Sequence, residues 1–436
     1  MTQDPAKRSW VRRYFEFPLI WKFAIALVLG LISGLIVGPS IAVLEPLGNL
    51  FLQLLQMLVI PLVLLTLLSG VASISPSQMG RVGGKIIGYY LVTSAVAIII
   101  GMGLALLIRP GLGLDMPGGG EEPEESPALT DVILNIFPEN MFEAMVEGNV
   151  LAVIFVAVIA GLALGWMLHG NNERLRVLAQ PVKDLSDAGT EIMFLIVRGV
   201  LEYGPIGVFA LIAVVVGETG TDSLLPMLEL TGTVYAGIAI MILAYAVLLL
   251  LFKVDLRQFF GAAKDPMLTA YVTRSSSGTL PVTMRAADKL GIKEGIHGFS
   301  LPLGATINMD GTALYVGVST LFVANVAGVD LTLVQMLQVV AVGVLASIGT
   351  AGVPGAGLIM LSLAITQAGL PFAPVALVAG VDALLDMART MTNVTGDLTG
   401  TRIVAQSERG MVEGHGTTRG RSRAHPRSDA TPAPSD

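Results

Sequence analysis

Between Val381 and Thr401 the chain reads VDALLDMARTMTNVTGDLTGT, which sets Asp382, Asp386, Arg389, Asn393 and Asp397 at steps of four, three, four and four in an apolar neighbourhood. On an α-helix those steps keep side chains on one face, so the five polar groups form a single column roughly 22 Å tall. That height is most of the hydrocarbon depth of a bilayer. An ionised side chain near the bilayer centre costs about 2.5 to 3.5 kcal/mol or more, so such a column persists only when turned toward protein, water or ligand. The alternative is the solvated face of a soluble helix, and composition argues against it. Hydrophobic residues make up 53% of the 436 and charged residues only 14%, the mean hydropathy is +0.74, and soluble domains carry roughly 25% charge. The chain reads as an all-α polytopic membrane protein.

Apolar runs of crossing length fall at 19–37, 47–68, 86–108, 150–168, 192–216 and 227–252, here spans one to six. With residues 1–18 inside, the cytoplasmic loops carry Arg81 and Lys85, then Arg174, Arg176 and Lys183, then Lys253, Arg257 and Lys264. The outer loops hold Arg109 alone as a basic residue, against Glu121, Glu122, Glu124, Glu125, Glu218 and Asp222. Positive residues collect on the cytoplasmic side, so this asymmetry sets the orientation and predicts both termini inside. The Gly, Pro and Glu run within 111–129 predicts a flexible outer loop, and 130–148 a broken or interfacial lead-in to span four. Gly30, Gly34 and Gly38 form a small-residue ridge for helix packing. Arg198 and Glu202, four apart, are expected to pair with each other. The Arg-, Gly- and Pro-rich tail 409–436 is expected to be disordered and cytoplasmic. The absence of cysteine excludes disulfides, thiolate metal sites and cysteine nucleophiles.

After Phe252 the pattern changes. An amphipathic run is broken at Thr273 to Thr279 and Pro281, which predicts a first re-entrant hairpin over 256–290. A second, over 333–370, is broken from Ser347 to Gly355. Each is followed by a helix, the first interrupted at Gly304 to Gly311 (GATINMDG), the second bearing the polar column. The expected architecture is eight spanning helices plus two re-entrant helical hairpins in an inverted repeat. Non-helical backbone at membrane depth is tolerated only inside protein or along a cavity, so two tips and one break predict one shared midplane site.

At such a site the planar fork of Arg389 suits a carboxylate, and Asp386, one turn away, suits an ammonium group. A second carboxylate of the same molecule would meet Asn393, Thr390 and the N–H groups at the hairpin tips. Asp310 and Asp397 supply hard oxygens for cations, joined by carbonyls expected to be unwound at Gly304, Thr306, Asn308, Ser347, Ile348 and Thr350. Oxygen-only shells suit Na⁺ as well as Ca²⁺ and Mg²⁺. No histidine lies within a span, and no HExxH or nucleophile elbow appears, so neither a zinc site nor an enzyme is expected.

The segments RSSSGTLPVT, LPLGATINMDGTALY, SIGTAGVPGAG, DMARTMTNVTGDLTG and KIIGYYLVTSA resemble the glutamate transporter family of dicarboxylate/amino acid:cation symporters, most closely its sodium-coupled prokaryotic aspartate transporters. The resemblance implies a homotrimer in a plasma (inner) membrane. It implies a scaffold, 19–75 and 130–218, around a transport domain, 83–110 and 224–407, that slides like an elevator. It gives Arg389 the side-chain carboxylate of L-aspartate or L-glutamate, Asp386 the amine and Asn393 the main-chain carboxylate. Thr390, Thr312, Ser276, Val353 and Gly357 complete the substrate pocket. It implies more than one co-transported Na⁺: one by Gly304, Asn308, Asn393 and Asp397; one among Thr306, Ser347, Ile348 and Thr350; one by Tyr90, Thr93, Ser94, Asn308 and Asp310. The second hairpin would be the outer gate. Lipid and small ions are the expected partners, and nucleic acid is not.

The chain departs from some members. Val316 stands where potassium-countertransporting relatives carry Glu, Met387 where they carry a second Arg, and Gln56 where many members have Lys; the spare Arg here is Arg274. Neutral amino acid carriers lack the equivalent of Arg389, and dicarboxylate carriers that of Asp386. The expected function is therefore Na⁺-coupled symport of an acidic amino acid, with proton-coupled symport as the alternative.

Overall fold

The computed structural model describes residues 17–73, 81–114, 134, 137–347 and 355–408, and among these every regular element is helical. In chain order they are α1 (Leu19–Val37), a 3₁₀ segment (Gly38–Leu44), α2 (Glu45–Ala72), α3 (Arg81–Ile108), α4 (Met141–Val146), α5 (Val150–His169) and α6 (Glu173–Thr219). After a 3₁₀ turn (Gly220–Ser223) follow α7 (Leu224–Leu251), α8 (Leu256–Thr273), α9 (Ser276–Lys289), α10 (Glu294–Ile307), α11 (Asp310–Ala327), α12 (Leu333–Ser347), α13 (Ala356–Ala368) and α14 (Val375–Ser407). Among the described residues five stretches, Trp21–Ala72, Arg81–Ile108, Ala152–His169, Glu173–Leu251 and Glu294–Ala327, are long and apolar enough to cross a membrane. The polar column keeps α14 out of that set.

Packing follows the distribution of apolar side chains. α1 and α2 pack on α6, and α5 packs on α2. Ile25, Val28, Ile32, Leu35 and Ile36 leave an apolar face of α1 exposed, as expected of a surface that meets lipid or another subunit rather than water. α11 is different, buried on almost every side between α3, α7, α13 and α14. Glycines let its backbone approach α3. A Cβ on Gly317 would stand 2.6 Å from the Ile98 carbonyl oxygen, and one on Gly101 would run into the Leu314 carbonyl. The same pairing carries Thr93 and Ser94 of α3 up to the start of α11.

In the two segments expected to form hairpins the helices pack in pairs, α8 with α9 and α12 with α13. The break in the first pair is shorter than the sequence predicts. It is confined to Arg274 and Ser275, with Arg274 in the left-handed conformation (φ 55°) and Ser275 capping α9 through the Gly278 N–H. Pro266 and Pro281 sit inside the two helices. The break expected in the second pair falls largely on 348–354, which lie outside the described residues, as do 1–16, 74–80, 115–133, 135–136 and the tail from Arg409.

Two other expectations need correction. The interruption expected over Gly304 to Gly311 is only Asn308 and Met309 wide; Gly304 and Thr306 are helical, and the Gly304 carbonyl already accepts the Asn308 N–H. Glycine and threonine lower helix propensity, but the dense packing of α10 on α14 overrides that weak preference. Glu202 pairs with Lys22 of α1 at 2.5 Å rather than with Arg198, which is exposed. Gly30 and Gly34 approach α6 as expected, and Gly38, which ends α1 at φ 66°, sets its carbonyl against Gly217 of α6. In addition, α6 is one helix of 47 residues, capped by Asn172. The predicted fifth span is its apolar second half, and the basic loop before it is helical as well.

Candidate functional site

The column on α14 faces inward. Asp382, Asp386, Arg389, Asn393 and Asp397 are each at most 4% exposed. The start of α11 lies directly against α14, since a Cβ on Gly311 would run into the Arg389 carbonyl. Asn393 exploits that closeness: its Oδ1 accepts the N–H of Gly311 at 2.8 Å and of Thr312 at 3.3 Å, capping α11 from a neighbouring helix. Its Nδ2 donates to the Thr312 hydroxyl at 3.2 Å.

Arg389 is gripped on several sides. It donates to Asp386 at 2.7 Å and Asp382 at 3.2 Å, and its guanidinium lies 4.4 Å from the centre of the Tyr315 ring. Asp386 also takes the Gly355 N–H from the start of α13 at 3.1 Å and has the Arg274 guanidinium at 3.8 Å. Asp382 and Asp386 are thus balanced by Arg274 and Arg389. A cavity at this point is lined by Arg274, Ser276, Met309, Thr312, Ala356, Gly357, Asp386, Arg389, Thr390 and Asn393. It brings together every residue expected around the substrate except Val353, which lies outside the described residues. Gly357 leaves room for the guanidinium, onto which any Cβ would fall.

A second cluster lies where α10 gives way to α11. Asp310 is fully buried and accepts from the Ser94 hydroxyl at 2.8 Å and the Tyr245 hydroxyl at 2.5 Å. Asp397 accepts from Asn308 Nδ2 at 2.9 Å, and Thr93 donates to Asn308 Oδ1 at 3.3 Å. Tyr90 donates to the Ser300 carbonyl at 2.9 Å, with its hydroxyl and Asp397 both flanking Gly304. Among the described residues neither Asp310 nor Asp397 has a cationic partner; their donors are a hydroxyl pair and an amide. Burying a carboxylate is costly unless a positive charge joins it. The oxygens of Asp310, Asp397, Asn308, Thr93 and Ser94 form a hard donor set of the kind that holds an alkali cation. No group of three or more His, Asp or Glu gathers among the described residues, so the set is mainly neutral oxygen around two carboxylates.

The remaining expected ligands stay apart or fall outside. Thr306 is exposed on α10, its hydroxyl turned back to the Leu303 carbonyl at 3.0 Å. Ile348 and Thr350 lie outside the described residues, and of Ser347 only the backbone at the end of α12 is described. The sequence reading missed Tyr245, Tyr315 and Met309. Tyr245 was hidden inside a uniformly apolar span, where a lone tyrosine reads as packing.

The family model for the sodium:dicarboxylate symporter family matches residues 19–407. The chain belongs to that family, a family of membrane symporters and not of enzymes. It is similar, at 33% identity over 394 residues, to a proton/sodium-glutamate symport protein of Geobacillus stearothermophilus, covering 87% of this chain and 92% of that protein. It is 33% identical over 417 residues to a proton/glutamate-aspartate symporter of Escherichia coli (strain K12), covering 90% and 93%. A C4-dicarboxylate transport protein of Cupriavidus taiwanensis is 30% identical over 413 residues, covering 92% and 93%.

Proposed function

We propose that this symporter carries an acidic amino acid, L-aspartate or L-glutamate, into the cell together with more than one Na⁺. The observation that carries the reading is the contrast between two kinds of buried carboxylate. Asp382 and Asp386 face Arg389 and Arg274, whereas among the described residues Asp310 and Asp397 have only neutral donors. On binding, the substrate's side-chain carboxylate takes the Arg389 fork, and Asp386, released from it, takes the ammonium group. Asn393, Thr312, Thr390 and Ser276 receive the main-chain carboxylate. The substrate's net negative charge adds to those of Asp310 and Asp397, and cations bound at these oxygens offset it. A C4-dicarboxylate without an amine would leave Asp386 against a second anion, which favours an amino acid.

The wider reading keeps 19–75 and 130–218, with α1, α2, α4, α5 and α6, as a trimeric scaffold in the plasma membrane. The rest of the chain, with both hairpins re-entrant among eight spanning helices, slides against it. The Asp386 bond to Gly355 supports a second hairpin that senses substrate. Aspartate calorimetry on the purified protein, with Na⁺ and with choline replacing it, tests the proposal: binding is expected only with Na⁺, and equal affinity in choline would refute it. Proton-coupled symport is the second reading, favoured by the name of the Escherichia coli relative. It requires Asp310 or Asp397 to take a proton in place of a metal ion.

A further inference from the structure

Between α3, α7 and α14 lies a groove of about 560 Å³, a volume in the range that holds ligands. Its walls are apolar, with Val92, Leu248, Phe252, Ile403 and Val404 along them, while Lys85 and Ser407 mark one end, where the Lys85 ammonium donates to the Ser407 hydroxyl at 2.9 Å. From Lys85 to Thr93 the groove follows α3 for about two turns, roughly 12 Å. Gly88 forms its floor: a Cβ there would meet nothing within 4 Å, so a stretch of α3 is left uncovered by any neighbour. Val92 and Phe252 are exposed at the rim, and Val96, Leu243, Val247 and Leu251 continue the exposed apolar surface beyond it. α3 and α7 belong to stretches long and apolar enough to cross a bilayer, and the trimer proposed above is built on other helices, so this face meets lipid.

The charges sit at one end only. Arg81 and Lys85 begin α3, and Lys253 and Arg257 follow the end of α7. The acidic residues there are already engaged: Glu408 takes Lys85 at 2.6 Å, and Asp255 caps α8 through the Arg257 N–H at 2.8 Å. Four cations against two carboxylates leave this end net positive. In the orientation expected from the basic loops it is the cytoplasmic end, and basic residues beside crossing helices on that side attract anionic headgroups of the inner leaflet. The chain's own tail is a poor filler, since no large apolar side chain follows Val412.

We infer that the groove is a binding site for one anionic phospholipid, an acyl chain lying over Gly88 and the phosphate meeting Lys85 and Arg81. An apolar channel closed by cations at a single end matches a ligand with the same polarity along its length. The site is independent of which solute or ion is carried.

Native mass spectrometry of the full-length protein in detergent, titrated with phosphatidylglycerol or with phosphatidylcholine of the same chains, tests the assignment in wild type, Gly88→Leu, Lys85→Gln and Gly103→Leu. Leucine at position 88 enters open space and fills the groove while every charge at its end stays; Gly103 is equally open on the same helix but does not line the groove. Wild type is expected to bind one phosphatidylglycerol about fivefold or more tightly than phosphatidylcholine. Gly88→Leu is expected to weaken that binding about tenfold or more, Lys85→Gln to cut the preference about threefold, and Gly103→Leu to stay within about twofold of wild type. Equal affinity for the two lipids in wild type, or wild-type binding of phosphatidylglycerol by Gly88→Leu, would overturn the inference. A full preference retained in Lys85→Gln, or displacement of phosphatidylglycerol by an equal concentration of oleate, would overturn it as well, the latter by showing that a free fatty acid suffices.

Discussion

Arg389 carries the heaviest assignment of any single side chain, and its contacts say what its loss would do. With two buried carboxylates and an aromatic face around it, truncation removes the proposed anchor of the substrate and leaves Asp382 and Asp386 facing Arg274 alone. Removing one partner of a buried charge pair costs about 2 to 5 kcal/mol, so Arg389→Ala is expected to weaken aspartate binding at least about thirtyfold. Calorimetry on the folded variant checks this. Gly357→Ala is a gentler probe: its Cβ lands on the guanidinium, so it should reduce aspartate affinity about tenfold or more while the melting temperature stays near that of wild type. Asp397→Asn, nearly isosteric, should raise the Na⁺ needed for half-maximal binding.

At the scale of elements, the decisive contacts are between helices that are far apart in sequence. Gly311 lets α11 touch the backbone of α14. Overpacking such a contact typically costs about 1 to 3 kcal/mol, so Gly311→Ala should lower the melting temperature and substrate affinity together. Near the ends of α3 and α14, Lys85 donates to Glu408 at 2.6 Å with Arg81 at 3.3 Å, which holds the Glu408 carboxyl below the usual glutamate range. A depressed folded value means that the contact contributes above the ordinary glutamate pKa and is lost as pH falls through the folded value. Hydrogen-exchange protection factors over 400–408, corrected for the intrinsic pH dependence of exchange, should fall on acidification in wild type, and at neutral pH in Glu408→Gln.

Much of this layer was readable from spacing alone, because four-residue steps of charge in an apolar helix admit few folds. The column follows from that spacing, and the paired helices and the break before Asp310 from Gly-, Ser- and Thr-rich interruptions of apolar runs. What pattern could not supply was depth of break and choice of partner. The Gly304 to Gly311 run looked unwound because glycine and threonine favour non-helical backbone, yet packing against α14 kept α10 helical to Ile307. Arg198 and Glu202 satisfied the helical pairing rule, but Lys22 of α1 reached Glu202 from another helix. Tyr245 carried no positional signal at all, since its role depends on α7 lying against the start of α11.

For the whole molecule, the exposed apolar face of α1 and the expected scaffold predict a trimer, checked by native mass spectrometry or by light scattering corrected for bound detergent; a monomer at micromolar concentration would contradict that part of the reading. The central claim is that Asp310 and Asp397 require metal cations to travel with the amino acid. Labelled aspartate uptake into proteoliposomes, with an inward Na⁺ gradient and no proton gradient, tests it most directly. Concentrative uptake that collapses when choline replaces Na⁺ is predicted. Equal accumulation driven by a proton gradient with Na⁺ absent would contradict it.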